Sequence, residues 1–177
     1  MTLMRQSVWL LVLGTGLLLA GCGFQPVYMP TASGKSGVAQ RELAAVNITL
    51  MPGRPGQLFR QALQEALSND DGGPQSYDLE ANFWISGEGI SVQPSNIATR
   101  TRLTGNVTWT LHARDATRTA LTSGSGHQVD AVNLLDQQYF AVDLENEAIQ
   151  RRLANALAQQ VVNQLAIFFR YRAQTPG

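Results

Sequence analysis

Three groups of side chains in this 177-residue chain have types and spacings that could do chemistry. Cys22 is its one cysteine, so the thiol can act as an acceptor or nucleophile but cannot close an internal disulfide. Ser125 and His127 stand two apart in Ser123-Gly124-Ser125-Gly126-His127, a hydroxyl within reach of a base. Arg100, Arg102, His112 and Arg114 alternate with apolar residues. Spaced guanidiniums bind phosphates and carboxylates well, because each offers a planar fork of donors.

Most of this potential is excluded on spacing. A nucleophile elbow places glycines two residues to either side of the serine, whereas here they adjoin Ser125, which predicts a glycine-softened strand. There is no phosphate-cradling Walker loop, and Gly87-x-Gly89 lacks the third glycine of a dinucleotide site. His112 and His127 have no paired carboxylates nearby, so no metal site is expected. Thirteen basic residues balance thirteen acidic ones, which argues against nucleic acid as a partner. An enzyme is not expected.

The elements that must position these residues follow from hydrophobic period. Val46 to Leu50 alternates as a strand with one buried face. Met51-Pro52-Gly53-Arg54-Pro55-Gly56 reads as a break, and Gln57 to Leu67 as a helix with Leu58, Ala62, Leu63, Ala66 and Leu67 on one stripe. Tyr77 to Ser86 alternates again, Gly87 and Gly89 mark a bulge or bend, and Pro94-Ser95-Asn96 a turn. The cleanest pattern follows, with Leu103, Gly105, Val107, Trp109 and Leu111 on one face and Arg100, Arg102, Thr104, Asn106, Thr108, Thr110, His112 and Arg114 on the other. Asp115 to Arg118 reads as a hairpin turn and Thr119 to Val132 as the returning strand.

A last helix is predicted from about Asp143 to about Arg170. Its stripe is Val142, Ile149, Leu153, Ala156, Leu157, Val161, Leu165 and Phe168. Asp143, Glu145 and Glu147 lie at its start, and Arg170 and Arg172 at its end, complementing the helix dipole. The order β-α-β-β-β-α predicts an α+β fold, two helices packed on one face of a four-stranded, mostly antiparallel sheet. The arginine-bearing strand face then has two readings: a basic patch for an anionic headgroup, or the ordinary charged surface of an exposed sheet.

Upstream, Val8 to Leu19 is an apolar run of roughly a dozen residues, short for a membrane span of about 20 but suited to a secretory signal. It ends in Leu19-Ala20-Gly21-Cys22, which resembles the lipobox of bacterial lipoproteins. That resemblance implies cleavage before Cys22, a diacylglyceryl group on its thiol and an acyl chain such as palmitate on the freed amine. One chain holds a membrane marginally while two or more anchor stably. Gly23 follows the cysteine where lipoproteins kept at the inner membrane typically carry Asp, so the outer membrane is expected. No cofactor is expected beyond this covalent lipid. The chain thus divides into a signal peptide over residues 1–21, a lipidated tether over 22–44, one domain over 45–172 and a tail over 173–177. Phe24 and Tyr28, in the tether, suit either a partner surface or the membrane interface.

Cys22-Gly23-Phe24-Gln25-Pro26-Val27-Tyr28 also resembles the mature start of the lipopolysaccharide-assembly lipoprotein family, LptE, in its alphaproteobacterial form. The likeness continues in order through Phe59-Arg60-x-x-Leu63, Tyr77-x-Leu79, Thr99-Arg100, Phe140-Ala141 and Arg151-Arg152-Leu153-Ala154. It implies two helices on a four-stranded sheet, and a subunit that plugs and helps assemble the outer-membrane barrel LptD and binds lipopolysaccharide for delivery to the outer leaflet. The domain is then initially periplasmic and afterwards within the barrel lumen. Arg100, Arg102 and Arg114 become candidates for lipid A phosphates or for polar groups of the lumen. Two other readings remain: an auxiliary lipoprotein of another envelope lipid ABC transporter, and a lipid-anchored hydrolase built on Ser125 and His127.

Overall fold

Three long strands, Tyr77–Val92, Ala98–Ala113 and Ala120–Asn133, dominate the fold in a computed structural model that describes residues 37–67, 74–92, 98–133 and 139–175. In chain order the elements are α1 (Val38–Ala44), β1 (Val46–Ile48), α2 (Gly53–Leu67), β2 (Tyr77–Val92), β3 (Ala98–Ala113), β4 (Ala120–Asn133) and α3 (Tyr139–Gln174). The sheet order is β1-β2-β3-β4. β1 runs parallel to β2 because α2 carries the chain back between them, and the other pairs are antiparallel. This is the expected α+β architecture with one helix more.

The extra helix, α1, lies inside the stretch read as tether. Only Ala39 and Leu43 of it are buried, one helical turn apart, too few for a recognisable stripe. It is tied down by Tyr77, whose hydroxyl donates to Glu42 Oε2 at 2.7 Å. Burial, reinforced by that carboxylate, pushes the Tyr77 hydroxyl above its ordinary range.

β1 is shorter than the alternation suggested. Val46 and Ile48 are buried but Leu50 is 83% exposed. α2 starts earlier, at Gly53, with Pro55 in its first turn, where a missing N–H costs nothing. Gly53 makes the entry with a φ of 76°, which a side chain would strain. The anticipated irregularity in β2 is real, with register shifts from Gly89 to Ser91 and Ser91 to Val92. The Asp115 turn forms as expected: its carboxylate accepts from the backbone N–H groups of Thr117 and Thr119, and Arg118 takes a φ of 47°. The expected turn at Pro94-Ser95-Asn96 lies outside the described residues.

α3, at 36 residues, is about 54 Å long, matching the roughly 53 Å of a 16-residue strand. On the sheet it packs chiefly against β3 and β4, whereas α2 packs against β1 and β2. Phe59 of α2 stacks on Phe83 of β2 with ring centroids 4.9 Å apart. Ile149 and Leu153 of α3 pack with Ile85 and Leu103 as a smaller cluster. α3 begins four residues before Asp143, so its first turn carries no acid, and the dipole argument holds at the C-terminal end alone, through Arg172. Its stripe is also wider than expected. Ala154, Ala158, Val162, Ala166 and Phe169 are buried beside Leu153, Leu157, Val161 and Leu165, while Ala156 faces solvent.

Glu147 links the helices instead. It accepts from Arg54 of α2 at 2.6 Å and from Arg151 at 2.9 Å, and these bonds, Arg151 first, hold its carboxyl below the ordinary 4.5. A lowered folded value adds stability that is complete above the unfolded value and is lost as pH falls through the folded one. Melting curves followed by circular dichroism should therefore show native protein above Glu147→Gln at about pH 7, with the gap closing as pH drops below the ordinary carboxylate range. A gap independent of pH would mean the variant acts through packing.

Candidate functional site

The sheet has two unlike faces. Helices cover one, and no described helix covers the other. On that open face the register sets Asn82, Thr108 and Ser125 in one row, Trp84, Asn106 and His127 in the next, and Ser86, Thr104 and Val129 in a third. Hydroxyls and amides dominate because each is favoured in strands or content in water. Trp84 and Val129 interrupt them, 43% and 47% exposed, one row apart on either side of β3. Alternation placed Trp84 on this face, but its type alone gave no reason to expect half its surface in water. A shallow depression of about 360 Å³ takes in the Asn82 row, lined by Glu80, Asn82, Thr108, Thr110, Ser123 and Gly124 among others.

Arg102 and His112 of β3, and Arg114 just beyond it, share this face, but they do not make one patch. Arg102 and Arg114 are separated by twelve residues of extended chain, roughly 40 Å. Each meets an acid of β2. Arg102 Nη1 lies 2.7 Å from Glu88 Oε1, Arg114 Nε 3.6 Å from Asp78 Oδ1, and His112 Nε2 3.7 Å from Glu80 Oε2. Arg114 also donates to Gln75 at 2.7 Å. The backbone of Arg100 pairs in register with Ser91 and Asn133, at the opposite end of β3 from Arg114. The strand thus carries an Arg100–Arg102 end and an Arg114 end, and one small anion can reach one of them.

Ser125 and His127 sit in adjacent rows of the open face, and both are exposed. Among the described residues no three metal-ligating side chains cluster. The glycines beside them point to the covered face. Trp109, 4% exposed, lies against Gly124 and donates from Nε1 to Gln164 Oε1 of α3 at 3.0 Å, while Gln164 Nε2 reaches the carbonyl of Ser125 at 3.4 Å. The glycines of this motif pack toward α3, while Ser125 and His127 face away from it.

This sheet-and-helix domain coincides with a known family. The model of LptE, lipopolysaccharide assembly, matches residues 40–165, more than two thirds of the chain. The chain belongs to the LptE family. That family serves lipopolysaccharide assembly in the outer membrane and is not enzymatic. The LptE fold is shared with a protein of Caulobacter crescentus assigned as a lipoprotein, at a TM-score of 0.59 and 23% identity over 75% of this chain and 96% of that one. Rare lipoprotein B of Shewanella oneidensis aligns at 0.51 and 10% identity over 68% and 91%. Lipoprotein B of Nitrosomonas europaea aligns at 0.52 and 18% identity over 70% and 82%. No curated protein sequence matches.

Within the LptE match, Phe59 and Leu63 of α2, Leu79 of β2, and Leu153 and Ala154 of α3 are all buried. These apolar members of the motifs are core positions, which explains why they pointed to the fold, whereas Arg151 and Arg152 of the same motifs are exposed. Cys22, Phe24 and Tyr28 lie outside the described residues. No described helix is long and apolar enough to cross a membrane.

Proposed function

We propose that this LptE-family chain is the lipoprotein subunit of the lipopolysaccharide translocon. It is anchored in the outer membrane through acyl chains on Cys22, partners and plugs the LptD barrel from within its lumen, and binds lipopolysaccharide for delivery to the outer leaflet. The family match across the folded domain carries the reading. The open face supports it, since rows of hydroxyl and amide side chains around Trp84 and Val129 suit contact with the hydrated wall of a barrel, where a half-exposed aromatic can anchor the contact.

Capture of the tagged, lipidated protein in mild detergent, with mass spectrometry of its companions, tests the partnership. A stoichiometric outer-membrane barrel is expected. An inner-membrane ABC transporter in its place would assign the chain to another envelope lipid pathway, and the absence of any barrel would sink the plug role.

The arginine ends are separable. Arg100→Ala with Arg102→Ala should weaken lipopolysaccharide binding several-fold while leaving the melting temperature nearly unchanged, because the Arg102–Glu88 pair is exposed and such pairs contribute about 0–1 kcal/mol. Unchanged affinity in a filter or calorimetric assay would remove that end from the site. A loss confined to Arg114→Ala would move the site to the other end of β3.

A further inference from the structure

We propose that, before the domain enters a barrel, the last two turns of α3 rest on an anionic phospholipid surface, and that this contact orients the domain on its membrane. Ile167, Arg170, Tyr171 and Gln174 recur at helical spacing and line one outward groove of about 290 Å³. Ile167 is 47% exposed and Tyr171 69%, whereas Phe169 between them is buried in the core. An isoleucine and a tyrosine facing water beside a guanidinium form the combination that sits at a lipid headgroup boundary: the aliphatic chain enters the acyl edge, the phenol stays at the interface, and the arginine meets phosphate.

Charge favours the same occupant. From Ala148 to Gly177 the chain contains no Asp or Glu, and neither Arg170 nor Arg172 makes an ion pair among the described residues. Arginines near a surface attract anionic lipid, and Arg170 stands on the groove away from Glu42. A protein partner fits less well, since a stable interface buries about 800 Å² per side and this stripe offers two apolar side chains. So small a patch holds a membrane only with a second attachment.

Position supplies that attachment. A neighbouring groove of about 320 Å³ is lined by Val38, Glu42, Tyr77, Phe169, Arg172 and Ala173, which sets the end of α3 beside the start of α1. Gly37, just before α1, is fifteen residues from Cys22, a reach of at most about 50 Å. The surface holding the anchor is thus within reach of the stripe. The contact rests on the Cys22 anchor proposed above, and it points the Arg100–Arg102 end of the sheet away from the membrane.

Acylation leaves Cys22 without a free thiol, so Gln174→Cys in the full lipidated protein accepts a single nitroxide. Collision of that label with oxygen and with a nickel chelate reports its depth, and Ser125→Cys on the open face serves as reference. In phosphatidylcholine vesicles with added phosphatidylglycerol, we expect the label at 174 to be several-fold shielded from nickel and the label at 125 unaffected. Adding Ile167→Ser and Tyr171→Ser should abolish the shielding. A label at 174 that stays open to nickel, or becomes shielded only when an outer-membrane barrel is supplied, overturns the proposal. Flotation on pure phosphatidylcholine vesicles reads the anchor separately. Loss of flotation would overturn the anchor and the orientation with it, whereas flotation with an exposed label would overturn the docking alone.

Discussion

Leu157→Asp is expected to leave the domain unfolded at room temperature. Leu157 has no exposed surface and occupies the middle of the α3 stripe, where its Cδ1 lies 3.2 Å from the position a Cβ on Gly105 would take. Removing a buried leucine costs about 2–5 kcal/mol in lost transfer energy and cavity. An unpaired carboxylate left in the helix–sheet interface adds several kcal/mol, either as charge or as the work of protonating it. Together these approach the whole stability of a typical domain, about 5–15 kcal/mol. Circular dichroism should show no cooperative melt, and most of the protein should be insoluble. Leu157→Met, which keeps the volume, should lose less than about 1.5 kcal/mol and serves as the control. A cooperative melt within a few degrees of native for the Asp variant would mean that α3 does not lie on the sheet as described.

The same helix shows what was legible beforehand and what was not. Alternation over β2 and β3 assigned each residue to its face, because a period of two leaves no freedom once one face is buried. The Leu153–Leu157–Val161–Leu165 stripe was equally visible. The adjoining Ala154, Ala158 and Ala166 were not, since alanine is a weak hydrophobic signal, nor was Val162, since α3 turns out to contact both the sheet and the helix pair α1 and α2. That second contact broadens the buried face and leaves Ala156 outside it. Pro55 and Gly56 looked like breakers, yet both belong to the first turn of α2, where a proline is harmless.

The arginines illustrate the opposite limit. Their common face followed from parity, but the roughly 40 Å from Arg102 to Arg114 and the acids beside each depend on register across strands. Glu88 and Asp78 are remote in sequence from the residues they neutralise, so no local pattern announces them. Trp84 likewise could be placed on its face by alternation, while its exposure depends on what the neighbouring strands present.

Gly124→Ala should be strongly destabilising, and its cost should depend on Trp109. A Cβ at Gly124 would stand 2.7 Å from Trp109 Cζ2 and 2.8 Å from Cε2, with Gln164 Oε1 at 3.0 Å. The indole is buried and tethered to Gln164, so it cannot swing aside without losing that hydrogen bond or displacing α3. Overpacking of this kind costs about 1–3 kcal/mol, and the broken bond about 1 more. At about 2–4 °C per kcal/mol for a domain of this size, the melting temperature should fall by roughly 5–15 °C. Gly126→Ala is the internal comparison, because its Cβ would meet only the flexible end of Gln160. It should cost far less. If the clash with the ring is the cause, Trp109→Leu should make Gly124→Ala nearly neutral, a coupling that a double-mutant cycle measures. Additive losses would place the cause in the strand itself, through the backbone preferences of glycine. Coupled losses would establish why glycine and serine alternate along β4: the glycines let α3 approach the sheet, and the serines keep the opposite face polar.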